Sequence, residues 1–256
     1  MLNPQQHEQF LETGHITVEA LLTAAELQQA IDDIQQWAAE TLATLSDEQK
    51  AWYLEQTQAA DSNDSSSAAA TAVLRKLDHP VYHRPVFRQL AAKPEIVAIV
   101  EQLIGQGVSV FFSQVFMKAA GGGPKPVHQD NFYFGPDDPD HTLTVWIAID
   151  DAGVDNGCLF YGDGSHRGAI LRHVAPPGEP FNLQVEATTA AGFPMTPAPV
   201  PAGGISFHHG NTLHQSSANL SSRSRRAVAL HYLRNRALLT HPALSYDEQF
   251  RVRITG

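Results

Sequence analysis

The sequence predicts a mainly β fold of sandwich, jelly-roll or barrel type, carrying a helical layer at its N-terminal end. Two observations predict it. Helix signals dominate residues 1–107 or so. From residue 108 onward, short β runs alternate with clusters of Gly, Pro, Asn and Asp, the texture of closed antiparallel folds. With 256 residues, 43% of them apolar and 17% charged, the chain can bury a sizeable core.

The elements follow in order. Ile16 and Val18 alternate with polar neighbours and predict a short strand. Thr23 followed by Glu26 is a capping box, in which a hydroxyl and a carboxylate satisfy the first free N–H groups of a helix. After it, Leu27, Ile31, Ile34, Trp37, Ala38 and Leu42 recur at helical spacing. Ser46 with Gln49 repeats the cap pattern. Residues 61–70, DSNDSSSAAA, read as a polar surface loop, with a lid as the other reading. Residues 94–104 predict a helix opened by Pro94 and stopped by Gly105. The β runs are 108–112, 143–149, 158–161, 204–207 and 227–232, and the Pro- and Ala-rich stretch 175–201 reads as an excursion from the barrel. With no internal repeat, one domain over 1–256 is expected, its β core spanning about 108–236.

The formal charge of −10 makes nucleic acid and anionic membranes poor partners. Cys158 is the one cysteine, so no intramolecular disulfide can form, which fits a reducing compartment. Residues 1–10 lack the basic start and apolar run of a signal peptide, and no apolar stretch reaches the ~18 residues that would span a membrane. A cytoplasmic protein with a small-molecule substrate is expected.

Chemistry concentrates in two segments. His128 and Asp130 bracket Gln129 and share one face if the strand is extended, so imidazole and carboxylate can approach one divalent metal. By itself His-x-Asp is weak. The segment 204–217, GISFHHGNTLHQSS, offers His208, His209 and His214 as a third ligand, and a late strand returning beside an early one is natural in a jelly roll. Two histidines and a carboxylate form a facial triad with open positions for a non-haem iron, whereas structural zinc would usually want several cysteines and the chain has one.

The runs HQDNFYFG, TVWIAIDDAGVDNGCL, GDGSHRG and FHHGNTLHQSSANLSSRSRRAVALHY, in that order and spacing, resemble the phytanoyl-CoA dioxygenase family. The resemblance implies a double-stranded β-helix (jelly roll, cupin-like) and an oxygenase using iron(II), 2-oxoglutarate and dioxygen. It implies His128, Asp130 and His214 as ligands. It also implies Arg225 and Ser216 at the far carboxylate of 2-oxoglutarate, Trp146 lining that pocket and Gln114 near it. Arginine's planar fork suits a carboxylate, although strand alternation alone leaves Arg223 equivalent to Arg225. Asp163 stands where the family usually has proline, in a turn. Asp130 is present where related halogenating enzymes lack the carboxylate, so halogenation is not expected; hydroxylation of an unactivated C–H bond is the expected reaction, with desaturation and epoxidation left open.

Other residues have plainer readings. His208 and His209 read as packing or supporting groups, His166 and His173 as turn or surface residues, and His231 as facing away from the metal. Cys158 reads as buried packing. For the substrate side, Phe112, Met117, Lys118, Asn131, Phe132, Tyr133 and His209 are the candidates. They suit a small organic molecule without selecting one. The phosphates of a CoA thioester would need a basic groove, and Lys118, Lys125 and Arg172 are scattered. The alternatives are a cupin-like metalloenzyme that does not use 2-oxoglutarate and a non-catalytic metabolite or metal sensor.

Overall fold

The computed structural model describes residues 1–57, 71–176 and 182–256. The loop expected at 61–70 lies outside the described residues. Three helices, α1 (Pro4–Thr13), α2 (Ala24–Leu42) and α3 (Asp47–Tyr53), start at capping boxes on Asn3, Thr23 and Ser46, the last two where the sequence predicts them. The next three, α4 (Pro80–His83), α5 (Pro85–Ala91) and α6 (Pro94–Ile104), open with proline, whose missing N–H would have had no partner there. Two short helices, α7 (Asp130–Phe134) and α8 (Ala187–Ala190), follow later.

The first strands are β1 (His15–Val18), β2 (Leu54–Thr57), β3 (Thr71–Leu74), β4 (Lys76–Asp78) and β5 (Val108–Lys118). Next come β6 (Lys125–His128), β7 (Thr142–Ala148), β8 (Leu159–Gly162), β9 (His173–Val174) and β10 (Gln184–Val185). The last are β11 (Met195–Ala198), β12 (Ile205–His209), β13 (His214–Ser216), β14 (Arg225–Arg234) and β15 (Val252–Arg253). The larger sheet runs β1-β12-β7-β14-β5-β15, with β4 also on β5, and the smaller runs β11-β8-β13-β6. Their ladders are antiparallel, and together they form the expected double-stranded β-helix. One expectation is corrected: 195–198 does not leave the barrel but forms β11 against β8. Its Pro197 is tolerated because β11 is an edge strand.

Alternation gives the larger sheet two different faces. Val145, Ile147, Ile205, Phe207, Val228 and Leu230 point outward and share the main core with Ile34, Phe87, Ile96 and Val100 of the helices. Inward, Trp146, Ala148, Ala227 and Ala229 meet Leu159 and Tyr161 of the smaller sheet. The short alanines leave room between the two sheets where the chemical groups lie. No helix among the described residues is long and apolar enough to cross a membrane.

Candidate active site

The end of β6 and the start of β13 pair with His128 directly opposite His214. Asp130 is not on that strand, as the i, i+2 reading assumed. The chain turns at Gln129, and Asp130 is the first residue of α7. The three side chains still converge: one donor atom from each lies within 4.8 Å of the others, and all three residues are buried. Nδ1 of His128 donates to the Pro126 carbonyl (2.8 Å) and Nδ1 of His214 to the Thr212 carbonyl (3.0 Å). Carbonyls only accept, so both rings must be protonated on Nδ1, leaving the Nε2 lone pairs for a metal.

Asp130 is clamped through one oxygen. Its Oδ2 accepts from Thr144 Oγ1 (2.6 Å) and from His208 Nε2 (3.2 Å). His208 is fixed in turn, its Nδ1 3.0 Å from the Tyr161 hydroxyl. Oδ1 is left facing His214 Nε2 (3.6 Å) and His128 Nε2 (3.9 Å). Burial alone would raise the Asp130 pKa, but His214, His208 and His231 around it hold it well below the usual carboxylate range. An ionised carboxylate oxygen and two imidazole lone pairs are the donor set a divalent iron needs.

His231 corrects an expectation. It faces the centre, with Nδ1 2.9 Å from Thr144 Oγ1 and 3.7 Å from Asp130 Oδ2. Counting by twos along β14 from the inward Arg225 reaches Ala227, Ala229 and His231, a signal that was available in the sequence. His173 is likewise buried rather than superficial. Its Nε2 accepts from the Gln129 backbone N–H (2.9 Å) and its ring stacks on Phe132, bracing the turn between His128 and Asp130.

Two residues along β13 from His214 lies Ser216, about 6–7 Å at strand rise. Here the chemistry changes from metal donors to cations. Lys118 Nζ donates to Ser216 Oγ (2.9 Å) and to the Ser217 carbonyl (2.6 Å). Arg225 pairs in register with Lys118 and is 3% exposed. Its guanidinium sits 5.3 Å over the Trp146 ring, and its Nε and Nη1 have no hydrogen-bond partner among the described residues. Burial lowers the Arg225 pKa to about 10; burial and the neighbouring Arg225 charge lower Lys118 to about 7. Of the competing arginines, Arg223 is exposed beside Asp155 and Arg226 forks onto Asp150. Gln114 lies on the inward ladder beside Ala229 and donates to Asp78 (2.7 Å).

The substrate-side candidates separate. Phe112 stacks on His231 (5.6 Å), and Tyr133 sits edge-on to His128 (5.9 Å) with its hydroxyl on the Leu183 carbonyl. Phe132 is half-buried beside Tyr133. Three others are corrected. Met117 packs against the main core on the opposite face of β5. Asn131 is locked between Thr142, Asn211 and the Pro139 carbonyl, fully buried. His209 alternates to the face away from His208 and bonds Asp140 (3.0 Å). Lys118 belongs with Ser216 and Arg225. The sequence reading missed Tyr246, whose ring packs edge-on to Phe111, Phe112 and Phe134.

The family model described as phytanoyl-CoA dioxygenase (PhyH) matches residues 10–227. The chain belongs to that family. Its members are iron(II)- and 2-oxoglutarate-dependent oxygenases, so the enzyme class and cosubstrates implied by the motifs stand. Phytanoyl-CoA dioxygenase domain-containing protein 1 of Mus musculus is 28% identical over 264 residues, covering 91% of this chain and 90% of its own. A probable alpha-ketoglutarate-dependent hypophosphite dioxygenase of Stutzerimonas stutzeri is 24% identical over 232 residues, covering 89% and 77%. Among solved structures, the non-heme alpha ketoglutarate dependent carbocyclase SnoK from nogalamycin biosynthesis superposes with TM-score 0.74 at 22% identity, covering 99% and 97%. That likeness speaks for the fold. The PhyH match ends before the segment that carries Tyr246.

Proposed function

We propose that this protein hydroxylates an unactivated C–H bond of a small organic molecule, using iron(II) held by His128, Asp130 and His214, with 1–256 acting as one oxygenase domain. The carrying observation is the buried guanidinium of Arg225, paired in register with Lys118, whose Nε and Nη1 have no hydrogen-bond partner among the described residues. A buried charge without a counterion is costly, and the fork of arginine matches the far carboxylate of 2-oxoglutarate. Ser216 and Lys118 add donors to the same carboxylate, Trp146 walls the pocket, and Gln114 borders it. Bound iron, with 2-oxoglutarate and dioxygen, supplies the oxidation, giving hydroxylated product, succinate and carbon dioxide. Thr144 and His208 keep Asp130 Oδ1 turned to the metal. Phe112, Phe132, Tyr133 and Tyr246 face the substrate and exclude water.

A metabolite-library screen for compounds that stimulate succinate release, with the product read by a one-oxygen mass gain, tests the reaction. Stimulation should vanish in His128→Ala and Asp130→Ala. Full turnover by either variant contradicts the ligand assignment.

A further inference from the structure

A second cationic site lies on the outside of the barrel. Arg234 and Arg236, at and beyond the end of β14, meet Arg251 and Arg253, at and beside β15. All four line one open cleft of about 870 Å³, together with Ser109 and Glu248. No basic groove was visible in the sequence, because 14 residues lie between the two arginine pairs and only the pairing of β14 and β15 with β5 unites them. The chain carries 27 acidic against 17 basic residues, so carboxylates are in excess. Yet among the described residues only Arg251 has a carboxylate within 4 Å, the exposed Glu248 at 3.7 Å.

The cleft is held in shape by its two less exposed members. Arg251 donates to the backbone carbonyls of Arg234 and Asn235 (3.4 and 3.2 Å). Arg234 bonds His141 (3.2 Å) and packs on Gly105, where a Cβ would lie 3.2 Å from its Cζ. Arg236 and Arg253 are exposed; Arg253 Nε donates to the Thr255 carbonyl (3.4 Å), and its two terminal nitrogens have no hydrogen-bond partner among the described residues. Converging like charges repel unless an anion joins them, and several guanidiniums around one cavity suit a ligand with several phosphate oxygens.

We propose that this cleft, distinct from the site of Arg225, binds a di- or polyphosphate group, either as the free anion or carried by an organic molecule. Pyrophosphate titrated calorimetrically into the iron(II) protein, saturated with 2-oxoglutarate at fixed ionic strength, tests it. Binding should be tighter than that of sulfate, and about tenfold or more weaker in Arg236→Ala/Arg253→Ala. Both replaced residues are exposed, so the fold should persist, checked by an unchanged Tm without anion. Any pyrophosphate bound at the iron centre is unaffected by these substitutions and cancels in the difference. A nucleoside diphosphate that binds more tightly than pyrophosphate assigns the cleft to a phosphorylated organic molecule; equal affinity assigns it to the free anion. Binding that matches sulfate, or that survives in the double variant, overturns the proposal.

Discussion

The two faces of β14 have opposite designs. Val228, Leu230 and Tyr232 point outward into a packed apolar core, and the Tyr232 hydroxyl is satisfied by the Ala91 carbonyl. Arg225, Ala227, Ala229 and His231 point inward, where small side chains leave space and ionisable groups are buried with shifted pKa values. One strand therefore serves folding on even positions and chemistry on odd ones. Substitutions should divide by parity into those that cost stability and those that cost ligand binding.

The largest expected effect tests the outer face. Leu230→Ala removes a fully buried side chain and should cost about 2–5 kcal/mol, read as a lower denaturation midpoint. The 2-oxoglutarate affinity of the folded fraction should stay the same; a matching loss of affinity would break the division. On the inner face, Arg225→Leu should weaken 2-oxoglutarate binding by about 30–150-fold, the worth of a charge-assisted fork, while leaving the metal affinity in place. Its Tm should hold or rise, because an unpaired buried charge is removed. A large drop in Tm would mean that Arg225 is structural. Thr144→Val takes a donor from Asp130 Oδ2 at nearly constant volume. Iron affinity should fall about 10–100-fold with little change in melting, measured by competition with a chelator.

The smallest effect is a pH dependence. Burial and the charge of Arg225 bring Lys118 to about 7, so it is charged below that pH and neutral above it. A dianionic ligand favours the charged form. Affinity for 2-oxoglutarate should therefore decline as pH rises through about 7, by about three- to tenfold. Lys118→Met should flatten that decline, and an unchanged slope would place Lys118 outside the pocket.

Much of this arrangement is legible in the sequence where a local rule governs it. The caps at Thr23 and Ser46 and the stop at Gly105 are set by backbone groups a few residues apart. The inward position of Trp146 follows from alternation with Val145 and Ile147. Local rules fail where tertiary structure decides. The His-x-Asp pair reaches one point across a strand end and a helix start, not along a strand. Pro197 masked an edge strand. His231 was misplaced although the count from Arg225 would have put it inside. Tyr246 and the four-arginine cleft come from segments whose meeting no sequence spacing reports.

The most direct test of the proposed chemistry is parallel measurement of dioxygen uptake and succinate formation by the iron(II)-loaded protein, with and without 2-oxoglutarate. Expected is uptake that requires 2-oxoglutarate and matches succinate one to one, lost together in Asp130→Ala. Dioxygen uptake without 2-oxoglutarate, or uptake with it that yields no succinate, would contradict the assignment of Arg225 and Ser216 to that cosubstrate.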